Sequence, residues 1–511
     1  MDELDLRVKA QEAAARPRRL RVAVVALLVA AGVAAQAQAD GSVRPSAPWP
    51  AFGYDSAGSD GGPAVTGITA ANLSTLVPKV VTLPGTVDSS AVYLRNVFVA
   101  GARRDVYVVD TTYGRTFALD ATAGTILWQF TPRGIASWEG SLQITTASPA
   151  VDPGLRYVYS ASPDGRIHKL AIANGREAAG RWPVAVTRDP KNEKISSSLK
   201  VYGPYVLAAL SGLSEKIGSL GGGRVGHLVE IDRQSGRVAH VFNAECSNRE
   251  TVILASTCDQ PEGGIWGRTP VAVDPKGNLL VATANGFWDG RTHWGDSVLE
   301  LSPTLTPLQS YTPANQERLA RDDLDLGSTA PVILTPHIAL QAGKDGVLRL
   351  LDLDKLNGRA PVAGPYLGGE ISTAQAPGGG EVRTQLAVWR RPGREPWVFV
   401  ANDFGIAGYA LVLKPKPHLV LQWTDGRGCS SPVLAGGLLY GYDIITGGLG
   451  IYNPDPPQGT AEPNEPLLSL TIPPGHWSSP VVADGHIALG AGNANAHETT
   501  GTFYMWTLPA G

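Results

Sequence analysis

The sequence has 511 residues, of which 43% are hydrophobic and 17% are charged, so the chain is long enough to bury a large core. Its 43 Lys and Arg residues are outnumbered by 46 Asp and Glu residues, which gives a formal net charge of -3. Because neutralising phosphates requires a clustered basic surface, this balance argues against a nucleic-acid partner.

The first 39 residues have the composition of an export signal. Four arginines between positions 16 and 21 precede an apolar run from Val22 to Ala35, and an Ala-x-Ala site ends at Ala39. The apolar run is shorter than the roughly 20 residues that a membrane-spanning helix requires. We therefore expect an exported protein, periplasmic or extracellular, whose residues 1–39 are cleaved as a signal peptide or remain as an N-terminal signal anchor. An uncleaved anchor is the only membrane attachment that we expect.

Residues 40–84 are predicted to form an extended lead-in to the main domain. They are rich in Gly, Ser and Pro, which favours turns and irregular structure over helix. A strand candidate from Lys79 to Leu83 ends this segment. Residues 85–511 are predicted to form one β domain.

The stretch from Val106 to Phe130, VYVVDTTYGRTFALDATAGTILWQF, predicts one small antiparallel sheet. It contains three short β-patterns that are separated by two turn signals, at residues 113–114 and 120–124. A sheet of this size cannot bury both of its faces alone, so it requires similar units packed beside it.

Similar units recur through the rest of the chain. Each begins with a short run of mostly small or polar residues and continues with an apolar strand and a turn, and several end near a Trp or Phe. The eight runs start at Asp88, Thr146, Ser196, Gly267, Ser328, Arg383, Cys429 and Trp477. Eight such units predict an all-β, eight-bladed β-propeller. Because the last sheet of a ring stays incomplete until a strand from the other terminus joins it, we expect Val80 to Leu83 to pair within Ser478 to Leu508.

The segment from Phe117 to Trp128, FALDATAGTILW, resembles the tryptophan-docking repeat of the quinoprotein alcohol dehydrogenases, whose cofactor is pyrroloquinoline quinone (PQQ). In that family the Trp of each blade packs against the next blade. The resemblance implies a quinoprotein-like propeller that extends from Trp49 towards the C-terminus. The sequence contains no CxxCH motif, so we expect no covalently attached haem.

The three cysteines agree with export. Cys246 and Cys258 lie 12 positions apart in a polar loop that a disulfide closes easily, whereas Cys429 is isolated. We expect one disulfide, between Cys246 and Cys258. A metal site is the alternative, although the absence of a CxxC motif argues against it.

The densest set of candidate site residues lies in the stretch from Gly263 to Leu301. The motif GGIWG at its start is similar to the family segment that lays a Trp, here Trp266, against the quinone ring. Asn285 and the glycine after it are similar to the turn whose Asn carboxamide binds calcium, a hard cation that prefers oxygen ligands. The same resemblance implies that Glu215, from the preceding blade, is a second calcium ligand and that Lys344 hydrogen-bonds the quinone oxygens.

Two features of the family are missing. The sequence has no vicinal cysteine pair to cap the cofactor, and no Arg-Asp-x-x-Thr-Gly segment follows Leu301 to supply the base that takes the substrate's hydroxyl proton. Asp322, Asp323 and Asp325 are the candidates for this base. The alternative interpretation is that residues 325–328 only form a turn at the start of a blade and that Trp266 belongs to the core.

Two functions are consistent with these features. The first is a PQQ- and calcium-dependent dehydrogenase that oxidises a small alcohol or sugar hydroxyl. The second is a propeller scaffold that binds a partner protein of the cell envelope and takes no cofactor. Because one fold supports many functions, the fold alone does not decide between them.

Overall fold

The computed structural model describes residues 48–212, 224–358, 366–457 and 462–509. Within these ranges the chain forms eight β-sheets of four or five strands, which follow one another along the sequence. The predicted export signal, residues 1–39, lies outside the described residues. The all-β, eight-bladed propeller predicted from the sequence is confirmed.

The strands of the first four blades follow one another in the order of the chain. Before blade 1 comes β1 (Val77–Leu83); blade 1 contains β2 (Val92–Val99), β3 (Ala102–Asp110), β4 (Thr116–Asp120) and β5 (Ile126–Phe130); blade 2 contains β6 (Ala150–Val151), β7 (Tyr157–Ser162), β8 (Arg166–Ala171) and β9 (Val184–Ala185); blade 3 contains β10 (Glu193–Ile195), β11 (Lys200–Tyr202), β12 (Tyr205–Gly212), β13 (His227–Asp232) and β14 (Val238–Asn243); blade 4 contains β15 (Ala272–Val273), β16 (Leu279–Ala282), β17 (Val298–Leu301) and β18 (Pro307–Tyr311).

The other four blades continue the same pattern. Blade 5 contains β19 (Val332–Thr335), β20 (Ile338–Gln341), β21 (Val347–Asp352) and β22 (Ser372–Gln375); blade 6 contains β23 (Ala387–Trp389), β24 (Trp397–Asn402), β25 (Gly405–Val412) and β26 (His418–Asp425), with β30 (Glu462–Pro463) at its edge; blade 7 contains β27 (Val433–Ala435), β28 (Leu438–Tyr442), β29 (Leu449–Tyr452) and β31 (Leu468–Leu470); blade 8 contains β32 (Val481–Ala483), β33 (His486–Ala491) and β34 (Gly501–Thr507).

Helix is scarce in the described residues. One short α-helix, α1 (Gln316–Arg321), lies between blades 4 and 5. Single 3-10 turns occur at Leu73–Thr75, Ile135–Ser137, Ala255–Thr257, Leu326–Ser328, Pro377–Gly379 and Ala494–Ala496. Among the described residues, no helix combines the length and the apolar composition needed to cross a bilayer.

Tryptophans dock each of several blades onto the next one, as the sequence predicts. Trp128 of blade 1 donates its indole N–H to the carbonyl oxygen of Ile172 in blade 2, at 2.8 Å. Gly175 of blade 2 lies under the same ring, and a Cβ at this position would come within 2.6 Å of it. Gly175 also has a φ of +69°, a left-handed backbone conformation that favours glycine, so both the space and the backbone require a glycine here. Trp423 of blade 6 docks in the same way, donating to the carbonyl oxygen of Pro454 in blade 7 at 3.0 Å.

The ring is closed by pairing between the two ends of the described chain. Strand β1 lies antiparallel to β34 along its whole length, from Val77 opposite Thr507 to Leu83 opposite Gly501. It therefore supplies the fourth, outermost strand of blade 8. The expected pairing of Val80 to Leu83 with the C-terminal unit is present. Pairing between the two ends thus gives blade 8 a complete four-stranded sheet.

The lead-in crosses the ring at one end. Its backbone hydrogen-bonds to the first strands of blades 1, 2, 4, 6 and 7, which lie on different sides of the ring, so it must cross the axis. The five pairs are Trp49 with Tyr93, Pro50 with Val151, Ser56 with Val273, Ser59 with Val388 and Asp60 with Leu434. We call residues 49–60 the axial plug.

The predicted disulfide between Cys246 and Cys258 is present in the loop between β14 and β15. The third cysteine, Cys429, is a buried free thiol. The loop with the disulfide continues directly into the GGIWG motif, which belongs to the candidate site.

Candidate functional site

A cavity of about 240 Å³ lies at the ring axis, among the loops that connect the blades. Its lining residues come from blades 2 to 6 and blade 8, including the loops that enter them, and are Thr146, Lys194, Ser196, Ser211, Gly212, Arg224, Gly264, Trp266, Arg268, Ala284, Asp323, Asp325, Lys344, Arg383, Trp477 and Asn495. We call it the axial cavity. Arg268 lies between this cavity and the axial plug, because it lines the cavity and also packs its guanidinium 5.3 Å from the ring centre of Phe52.

Trp266 is half-buried in the wall of the axial cavity and is not part of any core cluster of the described residues. Its ring meets the ring of Trp477 edge to face, with the centres 6.2 Å apart. The Lys344 ammonium lies 5.4 Å from the centre of the same ring. Trp266 is therefore not fully buried in a core, and its ring offers part of its surface to the cavity.

Asp325 is buried beside the cavity and is held by two donors. One carboxylate oxygen accepts the backbone N–H of Asn285 at 2.9 Å, and the other accepts the Lys344 ammonium at 2.6 Å. Burial raises the pKa of Asp325, and the nearby Lys344 charge opposes this shift. For Lys344, burial acts to lower the pKa, but the attraction of Asp325 and Asp323 outweighs it and the pKa is raised. The two opposite charges thus favour each other's charged forms, and burial of Asp325 acts against this attraction.

Asp323 completes the cluster from the solvent side. Its side chain is 75% exposed, yet it accepts the Asn285 side-chain amide at 2.8 Å and the Lys344 ammonium at 3.1 Å. Asp323, Asp325, Asn285 and Lys344 therefore form one connected network at the cavity wall. Its members lie in three separate segments of the chain that only the ring brings together.

The carboxamide oxygen of Asn285 is buried and accepts no hydrogen bond from the described residues. The amide nitrogen of the same side chain is already used by Asp323, which fixes the orientation of the carboxamide. Gly286 follows, and a Cβ there would lie 2.2 Å from a carboxylate oxygen of Glu245. The Asn-Gly pair is thus fixed in place, and its unsatisfied carboxamide oxygen suits the role of a ligand to a hard cation.

Five of the residues selected from the sequence meet at this site: Trp266, Asn285, Asp323, Asp325 and Lys344. The structure does not bring Asp322 to the cavity, because its carboxylate pairs with the Arg321 side chain at 2.9 Å on the surface. Glu215, the second expected calcium ligand, lies outside the described residues.

The cationic floor of the cavity was not predicted from the sequence. Arg268 is only 2% exposed, and its Nε and one terminal nitrogen are buried without a hydrogen-bond partner among the described residues. Burial lowers the pKa of Arg268 to about 10, against the opposing attraction of Asp88 and Asp60. A signal for such residues exists in the sequence. The short runs that begin the blades place Thr146, Ser196, Arg268, Arg383 and Trp477 at the axis, where all five line the cavity.

Neither a protein-family model nor a curated protein sequence matches the chain. Solved structures do resemble it. The quinohemoprotein alcohol dehydrogenase of Comamonas testosteroni is 16% identical, with a TM-score of 0.61 over 94% of this chain and 84% of that one. A europium-containing methanol dehydrogenase is 14% identical, with a TM-score of 0.61 over 91% of this chain and 98% of that one.

A non-dehydrogenase structure is similar as well. BamB from Moraxella catarrhalis is 14% identical, with a TM-score of 0.51 over 84% of this chain and 99% of that one. At these identities the likeness concerns the fold and not the activity. The comparisons nevertheless agree with the resemblance seen in the Trp-docking segment and with the eight blades of the structure. The chain therefore has the eight-bladed propeller fold of the quinoprotein alcohol dehydrogenases.

Proposed function

We propose that the axial cavity binds PQQ together with a hard divalent cation such as calcium, and that the protein oxidises a small alcohol or sugar hydroxyl there. The observation that carries the proposal is the buried carboxylate of Asp325, fixed by Asn285 and Lys344 at the wall of a cavity that also presents Trp266. A fixed, ionised carboxylate beside an aromatic surface is what a hydroxyl-oxidising site with a flat cofactor requires.

The residues at the cavity fit both groups. Asn285 offers an unsatisfied buried oxygen, and Asp323 adds carboxylate oxygens beside the same side chain, a donor set that suits a hard cation. Trp266 offers a flat aromatic surface, and Lys344 is placed over that ring to donate to carbonyl oxygens. Arg268, with unused N–H groups, suits a carboxylate of the quinone.

Each residue has a defined task in the proposed reaction. Asp325 accepts the proton of the substrate hydroxyl, and Lys344 holds that carboxylate in position and ionised until the proton arrives. Asn285 fixes the opposite carboxylate oxygen through its backbone N–H. Trp266 excludes water from one side of the cavity and orients the bound groups. The chemistry that the cofactor supplies when bound is acceptance of two electrons from the alcohol carbon.

Export is part of the proposal. The N-terminal pattern of arginines, apolar run and Ala-x-Ala site supports it, and the disulfide between Cys246 and Cys258 is typical of an oxidising compartment.

A protein-binding scaffold is the second candidate function. The similarity to BamB in fold favours it, and so does a surface groove of about 670 Å³ between blades 5 and 6, which is larger than the axial cavity. Arg390, Arg391 and Arg394 line this groove beside apolar residues such as Leu413. The scaffold needs no ligand on the axis, so the two functions differ in what the axial cavity binds.

Thermal unfolding with and without PQQ and calcium distinguishes the two functions. We expect PQQ and calcium together to raise the melting temperature of the wild-type protein, because a ligand that binds only the folded state stabilises it. Asn285→Ala removes the proposed cation ligand and Trp266→Ala removes the aromatic surface, so each should abolish the shift. Asp322→Asn is the matched control, since its carboxylate lies outside the cavity, and should keep it. No shift in the wild-type protein would leave the scaffold as the better proposal.

A further inference from the structure

The loop that carries the disulfide and the loop that carries His293 together present a second set of possible metal ligands, none of which lines the axial cavity. Ligand atoms of Cys246, Cys258, Asp259 and His293 all lie within 4.8 Å of one another. The Cys246 sulfur is 3.4 Å from an Asp259 oxygen, and the His293 Nε2 atom is 3.6 Å from the same oxygen. Two sulfurs, one imidazole and one carboxylate are ligand types that zinc binds in a four-coordinate site.

His293 is already oriented as a ligand would be. Its Nδ1 lies 2.7 Å from a carboxylate oxygen of Glu245, which is fully buried. This contact leaves Nε2 directed towards Asp259. A carboxylate behind the imidazole is the usual support of a zinc-binding histidine, because it fixes the ring and its tautomer.

The backbone around the cluster is also held in place. Asp289 accepts three consecutive backbone N–H groups through one oxygen, including that of His293 at 3.0 Å, which fixes the loop that carries the imidazole. Glu245 and His293 form a short antiparallel bridge between their backbones. The two ligand-bearing loops are therefore joined independently of the disulfide, and reducing the disulfide leaves this junction intact.

We propose that this cluster is a redox-controlled zinc site, in which the thiolates of Cys246 and Cys258, the Nε2 atom of His293 and a carboxylate oxygen of Asp259 bind one zinc ion after the disulfide is reduced. Two thiolates on one tetrahedral zinc lie about 3.8 Å apart, given a Zn–S distance of about 2.3 Å. The two Cys Cα atoms are 6.0 Å apart, so side-chain rotation is enough to reach that separation.

The exchange between the two states is balanced. A dithiol reductant supplies two electrons and two protons: the Cys246–Cys258 sulfur bond breaks, two thiols form, and the reductant closes its own disulfide. Zinc then replaces the two thiol protons, which are released to solvent. Because the same sulfur atoms serve the disulfide and the metal, the oxidised protein has at most two of the four ligands. Zinc binding and the disulfide therefore exclude each other.

Zinc would replace the disulfide as the cross-link of this loop. Cys258 lies five residues before Gly263, whose N–H donates to the carbonyl oxygen of Asn285 at 2.8 Å. A closed loop therefore supports the segment that leads to Trp266 and that hydrogen-bonds to Asn285. This role does not depend on whether the axial cavity binds PQQ.

Metal uptake by the full-length protein tests the proposal. Reduced, anaerobic protein is mixed with zinc or with cobalt(II) and desalted, and bound metal is measured per chain. We expect one zinc per reduced chain and none per oxidised chain, sulfur-to-cobalt charge-transfer absorption with cobalt, and protection of two thiols from alkylation by zinc. A reduced protein that retains no zinc, or an oxidised protein that retains as much, overturns the proposal.

Variants assign the ligands. Asp259→Asn and His293→Gln should each weaken zinc binding at least about 10-fold, since even the loss of an outer supporting residue has that effect. Glu262→Gln alters an exposed carboxylate of the same loop outside the four-ligand set, and Cys429→Ser removes the remaining thiol, so both should bind zinc like the wild type. Asp259 is 77% exposed in its side chain, so its variant keeps the fold. Equal zinc affinity in Asp259→Asn, His293→Gln and Glu262→Gln would refute the site.

Discussion

Asp325 combines the properties that a catalytic base needs. Its carboxylate is buried, which raises its pKa above that of an ordinary aspartate and strengthens it as a proton acceptor. Lys344 and the backbone N–H of Asn285 hold its two oxygens, so it does not rotate away from the cavity. Asp322 has neither property, because it lies on the surface against Arg321.

Substitution of Asp325 should therefore reduce turnover, whereas substitution of Asp322 should not. Asp325→Asn should lower kcat with PQQ, calcium and an alcohol by about 100-fold or more, the usual contribution of general-base catalysis, while the thermal shift by PQQ remains. Asp322→Asn should keep kcat close to that of the wild type. Steady-state assays with a dye as final electron acceptor give both values. If Asp325→Asn turns over normally, another group takes the proton.

At the scale of single elements, the tryptophans divide into two classes by what surrounds them. Trp128 bridges blades 1 and 2, with its indole N–H bonded to Ile172 and its ring on Gly175. Trp266 lies half-buried in the wall of the axial cavity, where its ring meets Trp477 and the Lys344 ammonium. The same residue type thus joins blades in one place and lines a cavity in the other.

Stability and binding should separate in the two alanine variants. Trp128→Ala should lower the free energy of unfolding by about 3 to 5 kcal/mol, because it empties a buried site and leaves the Ile172 carbonyl without its donor. Trp266→Ala should cost much less stability but abolish the shift by PQQ. Urea unfolding and the thermal shift, measured on both proteins, check this. A large loss of stability in Trp266→Ala would show that the ring is structural.

A buried lysine of blade 3, Lys200, contacts the axial plug. The Lys200 ammonium lies 3.2 Å from the carbonyl oxygen of Asp55 and 3.3 Å from the hydroxyl of Thr269, and the residue is 3% exposed. Burial lowers the pKa of Lys200 from its ordinary 10.5 to about 8, although Asp55 and Asp60 oppose the shift. Between these two pH values the unfolded chain holds a proton that the folded chain has released.

The free energy of unfolding should therefore rise as the pH increases from about 8 to about 10, by at most about 3 kcal/mol from this residue. Below about pH 8 Lys200 is charged in both states and contributes no further slope. In Lys200→Met the rise should disappear. Urea unfolding of both proteins at pH 7.5, 8.5 and 9.5 measures the difference. If the free energy of unfolding depends on pH in the same way in both proteins, groups other than Lys200 cause the dependence.

At the scale of the whole molecule, the ring depends on a junction between distant parts of the chain. Leu83, the last residue of β1, is fully buried in a cluster that includes Phe503 of β34 and Phe117 of blade 1. Val80, on the same strand, is 55% exposed. Strand β1 therefore buries Leu83 in the core at the ring junction and exposes Val80 to solvent.

Leu83→Ala should lower the free energy of unfolding by about 2 to 5 kcal/mol, because it creates a cavity where the ring closes. Val80→Ala is the matched control and should change it by no more than about 0.5 kcal/mol. Denaturant titrations followed by tryptophan fluorescence compare the two. Equal effects would mean that packing at the closing strand contributes little.

Local patterns were sufficient to predict the architecture. The turn signals and short β-patterns of the Val106 to Phe130 stretch repeat eight times, and each unit forms one blade because strand pairing within a blade joins neighbouring segments. The pairing of β1 with β34 and the disulfide were predicted from residue patterns and the need to close a sheet or a loop, whereas the docking of Trp128 was implied by the resemblance to the quinoprotein repeat.

Only the tertiary structure decided which side chains meet. The sequence presents Asp322, Asp323 and Asp325 within four positions and does not distinguish them, but the backbone after α1 turns Asp325 inwards and leaves Asp322 with Arg321. Arg268 enters the cavity floor and His293 meets the disulfide loop in the same way. Such contacts join loops far apart in sequence, and their geometry is fixed by the stacking of whole blades around the axis, which no local pattern encodes.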